Sequence, residues 1–73
     1  MNVNDKVYIY DPMRQSVYEC IIKKIIKASD GEPICYMLTP TNPNLPNTVN
    51  ISSRHVFNTF EEAFHEAMEL DED

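Results

Sequence analysis

Seventy-three residues, 42% of them apolar, with a net charge of −6, make one small acidic globular domain and exclude a disordered tail. A core of this size supplies only about 3–5 kcal/mol of net stability. No apolar run approaches the roughly 18–20 residues of a membrane span, and Met1-Asn2-Val3-Asn4-Asp5 lacks the basic-then-apolar order of a signal peptide, so a cytoplasmic setting without a membrane partner is expected.

Along the chain, Asp5-Lys6-Val7-Tyr8-Ile9-Tyr10 reads as a strand with Val7 and Ile9 inward and both tyrosines on the other face. Asp11-Pro12 ends it, because proline has no ladder donor and aspartate favours turns. Val17 to Lys27 is the longest β-type run, rich in Ile, Val and Tyr. Tyr18, Cys20 and Ile22 share one face, and Ile25 falls out of step across Lys23-Lys24. A bulge there would return Ile25 to the core and bend the strand. Asp30-Gly31 signals a hairpin turn. Pro33 opens a strand over Ile34–Thr39, with Ile34, Tyr36 and Leu38 alternating against Cys35 and Met37. Residues 40–47 form a Pro/Asn loop. Thr48 to Ser52 alternates again, with Val49 and Ile51 inward. Ser53-Arg54 is a short turn and His55-Val56-Phe57 a short fifth strand.

Thr59 followed by Glu62 makes a capping box for a helix over 60–70. Phe60, Ala63, Phe64, Ala67 and Met68 fall on one apolar stripe of that helix. Glu69 and the acidic tail 71–73 lie at the negative end of the helix dipole, which disfavours the last turn.

The charge is unevenly placed. Residues 1–57 carry six Lys and Arg against five Asp and Glu, whereas residues 58–73 carry seven Asp and Glu and no Lys or Arg. Such asymmetry bears on partners rather than on fold.

Five short strands, one of them bent, followed by a helix give a mainly β fold, a small five-stranded barrel over 5–57 with a C-terminal helix. Asp5-Lys6-Val7-Tyr8-Ile9-Tyr10 and Val17-Tyr18-Glu19-Cys20 resemble the opening strands of SH3-like barrels. Val56-Phe57-Asn58-Thr59-Phe60-Glu61-Glu62-Ala63 resembles the V-F-x-T-x-E-E-A ending of short uncharacterised proteins from bacteria, their phages and mobile elements. The resemblance spans most of residues 5–68. It implies a fold and no catalytic residue, since SH3-like barrels host peptide binders, nucleic-acid binders and structural modules alike.

The residues that could carry chemistry do not assemble into a motif. Cys20, Cys35, His55 and His65 contain no close ligand pair of the zinc-site kind, so no metal or other cofactor is expected. Cys35 and His55 could in principle form a nucleophile pair, but Pro33, Ile34, Tyr36 and Met37 offer no electropositive setting. One glycine excludes a glycine-rich phosphate loop. Without an export signal both cysteines are read as reduced, packed thiols.

The expectation is therefore a non-enzymatic module that binds another protein, with Tyr8, Tyr10 and Arg14 as the contact surface, since tyrosine is enriched at interfaces. These tyrosines could equally cover the barrel or touch the helix. A second reading is a small nucleic-acid-binding barrel using Lys23, Lys24 and Lys27, with Lys6 and Arg14 nearby and Tyr8, Tyr10 and Tyr18 for stacking. Strand lysines also serve to protect edges, and the acidic helix opposes phosphate. A third is an inhibitor of a host nucleic-acid enzyme acting through the acidic surface of Glu61, Glu62, Glu66 and Glu69. The chain would be a monomer, or a homodimer through an open barrel edge.

Overall fold

The computed structural model describes residues 1–45 and 48–70, without the side chain of Leu70. The expected tail 71–73 and the end of the Pro/Asn loop lie outside the described residues. The chain is mainly β. Strands β1 (Lys6–Asp11), β2 (Ser16–Lys27), β3 (Pro33–Pro40) and β4 (Val49–Ser52) form one antiparallel sheet in sequence order, and a 3-10 turn (Ser53–His55) leads to helix α1 (Phe60–Leu70).

The register follows from which residues must be dry. Val7 pairs with Cys20, Ile9 with Tyr18, Ile22 with Leu38, and Tyr36 with both Ile25 and Ile51. All of these side chains share one sheet face, and a single slip would move each set to the other face. Val7, Cys20, Ile22 and Leu38 are fully buried at the centre, Val56 joins them, and Tyr18, Ile25, Val49 and Ile51 pack around them. Each fully buried Val, Ile or Leu among them contributes about 1.5–3 kcal/mol by leaving water.

β2 pairs with β1 and β3 and is bulged on the β3 side. The register shifts between Ile22 and Lys24, leaving Lys23 as the extra residue and returning Ile25 to the core. A second shift, between Ile26 and Lys27, takes Ile34 out of the ladder. That is why Ile34 is exposed rather than inward with Tyr36 and Leu38. The turn between β2 and β3 closes where Asp30-Gly31 predicts it. Gly31 has φ +87°, its N–H donates to the Ala28 carbonyl at 3.0 Å, and the Asp30 carboxylate accepts from the Glu32 N–H at 3.0 Å.

The five-stranded closed barrel is corrected to an open sheet of four strands. His55, expected in the fifth strand, belongs to the 3-10 turn, whose N–H of Arg54 is capped by the Ser52 hydroxyl at 3.4 Å. Helix capping begins at Thr59. Between turn and helix only Phe57 is left to pair, and it exchanges both backbone hydrogen bonds with Tyr8, at 2.8 and 2.9 Å. No helix among the described residues is long and apolar enough to cross a membrane.

Candidate interaction surface

α1 starts where its sequence says it should. The Glu62 N–H donates to the Thr59 hydroxyl at 3.2 Å, and that hydroxyl donates to the Glu62 carboxylate at 3.2 Å. The reciprocal half of the box thus engages the hydroxyl of Thr59 instead of its backbone N–H. Glu61 and Glu62 occupy the first turn, where the helix dipole favours negative charge.

The helix lies against β1 and the start of β2, on the sheet face that carries Tyr8, Tyr10 and Val17. It is seated on its smallest residues. Ala63 is 0% exposed and Ala67 7%, while Phe60, Phe64 and Met68 remain 53%, 48% and 50% exposed. The apolar arc from Ala63 round to Met68 spans about 140° of the helix, and only its alanine side is fully covered by the sheet. The larger side chains are ordered among themselves. The Phe60 and Phe64 rings stack with centroids 6.1 Å apart, and Tyr8 meets Phe60 edge-on at 6.4 Å. Between this stripe and the β1–β2 hairpin runs a groove walled by Tyr10, Val17, Phe64 and Met68, with the polar Gln15 and Ser16 at its rim.

The residues expected at a contact surface are only partly on it. Tyr8 and Tyr10 are half-buried rather than exposed. The Tyr8 hydroxyl donates to the Glu19 carboxylate at 3.2 Å, so Tyr8 belongs largely to the frame, whereas Tyr10 borders the groove. Arg14 is exposed in the hairpin and paired with Asp11 at 3.2 Å. It also stands at the mouth of a second cleft, floored by Ile9, Tyr18, Val49 and Ile51, at the open seam between β1 and β4.

The four helix carboxylates divide by task. Glu62 caps the helix, and Glu66 contacts the His55 imidazole and ties the helix to the 3-10 turn. Glu61 and Glu69 are exposed and have no ion-pair partner among the described residues. The lysines are apart from all of this. Lys23, Lys24 and Lys27 are exposed on the half of β2 that extends past β1. Arg14 is at the other end of that strand, and Lys6 pairs with Glu19 at 3.8 Å. Tyr18 packs against the core and Tyr8 against Phe60, so neither stands ready for stacking beside the lysines.

Phe60, Phe64, Met68 and Val17 complete the surface, and helical periodicity places the first three on one stripe without showing how much of it is covered. The available signal was the composition of the stripe, two alanines on one side and three large residues on the other.

The remaining chemistry is quiet. Burial, with the neighbouring Glu19 carboxylate adding to it, pushes the Cys20 thiol from its ordinary 9.0 up to about 11, the opposite of an activated nucleophile. Cys20 is opposite Pro40, and Cys35 is five residues back along β3, about 16 Å away and beyond disulfide reach. No hydrogen bond joins Cys35 to His55, and no group of three or more His, Cys, Asp or Glu is placed to hold a metal, among the described residues. Comparison with protein-family models, with curated proteins and with solved structures finds no match for this chain.

Proposed function

We propose that this chain is a non-enzymatic protein-binding module on an SH3-like frame, and that its binding surface is the stripe and groove between α1 and the β1–β2 hairpin. The observation that carries the reading is the half-exposure of Phe60, Phe64 and Met68, three large apolar side chains in a row on one helix. Contiguous apolar surface of this kind on a small domain marks a partner site more often than idle packing. The frame reading is supported by the order of elements. After the four-stranded meander and the 3-10 turn, the Tyr8–Phe57 bridge lays the chain along the outer edge of β1, where a fifth barrel strand would run. A cytoplasmic setting belongs to the same proposal, because two unpaired thiols suit a reducing compartment.

Nucleic-acid binding through Lys23, Lys24 and Lys27 is the second reading, favoured by their exposure without ion-pair partners among the described residues. It is weakened by the distance of these lysines from Arg14 and by the acidic helix. Nuclease-treated affinity capture separates the two. The interaction module predicts a stoichiometric protein partner that survives nuclease, is lost with Phe64→Ser, and is retained with Lys23→Glu and Lys24→Glu. The reverse pattern would move the function to the lysine end of β2.

A further inference from the structure

The groove along α1 has a chemistry that selects its occupant. One wall is apolar, from Phe64 and Met68, and Val17 faces it from β2. The solvent flank of the stripe carries Glu61, exposed and without an ion-pair partner among the described residues, while Glu69 lies about 80° further round the helix, past His65, in a separate depression shared with Arg54. The hairpin rim beside the groove is uncharged at Gln15, Ser16 and Val17, and Arg14 is held by Asp11. No Lys or Arg occurs anywhere from residue 58 onward.

We infer that the occupant is a cationic amphipathic segment of a partner protein, with its apolar residues against Phe64, Met68 and Val17 and a Lys or Arg side chain over Glu61. This rests on the reading of the chain as a binding module and adds the chemistry of the partner. Charge complementarity disfavours the two nearest alternatives. A second copy would bring two helices of net negative charge together, and an anionic partner would meet like charge at Glu61. The stacked Phe60 and Phe64 rings hold the apolar wall in place before binding, which lowers the ordering cost.

The test uses three fluorescein-labelled synthetic peptides and the full chain. One is an amphipathic helix of Leu and Lys. The second has the same composition scrambled so that no apolar face forms, and the third keeps the pattern with Glu in place of Lys. Fluorescence anisotropy should show the patterned Lys peptide binding at least about tenfold tighter than either control. Phe64→Ser with Met68→Ser should weaken it about tenfold. Glu61→Gln should weaken it severalfold and flatten its salt dependence. Circular dichroism should show every variant folded, and the Glu-to-Gln variant leaves the apolar wall untouched if the serine variant does not fold.

Equal binding of the scrambled peptide (charge alone) or of the Glu peptide (apolar contact alone) would overturn the inference. So would a concentration-dependent dimer that buries this face and excludes the peptide. If the peptides fail while Phe64→Ser still abolishes capture of a stoichiometric partner, the cationic occupant falls and the binding module stands. If capture is also unchanged by that substitution, both fall.

Discussion

Cys20 shows how position on a strand decides what a side chain can do. Its alternation with Tyr18 and Ile22 places it at the centre of the sheet's inner face, and burial there, with Glu19 adjacent, raises its thiol to about 11. Cys35 is partly exposed on the opposite face, where Met37 and Lys24 also project. Native-state alkylation followed by mass spectrometry should therefore label Cys35 in minutes and Cys20 only on unfolding. The sign of the pH effect follows. The folded chain keeps a proton that the unfolded chain releases, so the stabilisation is complete below pH 9.0 and declines as pH rises to about 11. Urea midpoints measured across that window should fall for the native sequence and stay flatter for Cys20→Val. Equal labelling of the two thiols in the folded protein would contradict this placement.

At the scale of elements, local chemistry was legible wherever one residue type had one physical reason to be there. Thr59 and Glu62 announced the helix start, Asp30-Gly31 the turn, and the broken alternation at Lys23-Lys24 the bulge, and each is where its residues put it. Thr59→Ala should cost about 1 kcal/mol in urea unfolding, while Thr59→Asn should keep most of the stability. The fifth strand was not legible. His55-Val56-Phe57 holds two apolar residues, too little pattern to outweigh the competing hydrogen bond from the Arg54 N–H to Ser52 in the 3-10 turn Ser53–His55. The candidate surface was half legible for a related reason. Helical periodicity shows which residues share a face, but how much of an apolar arc is covered depends on how close the sheet approaches. Ala63 and Ala67 permit that approach, and it leaves Phe60, Phe64 and Met68 beside the contact instead of inside it.

The whole molecule is a small core under a thin margin. Ile22 and Leu38 face each other across β2 and β3, both fully buried. Leu38→Ala should remove roughly 2–5 kcal/mol, comparable to all that a domain of this size holds, so near-ultraviolet circular dichroism should show the variant largely unfolded at room temperature. A variant that still unfolds cooperatively within about 1 kcal/mol of the native chain would mean the core lies elsewhere. Against that margin, three large apolar side chains left half-exposed in a row are conspicuous, and this contrast is what separates a core from a docking surface. The most direct measurement is urea unfolding of the Phe64→Ser, Met68→Ser double variant, run beside its nuclease-treated affinity capture. The account predicts a stability within about 1 kcal/mol of the native chain together with loss of the captured protein partner. A loss of roughly 3 kcal/mol or more, the cost of breaking a core, or an undiminished capture, would contradict it and return the stripe to packing.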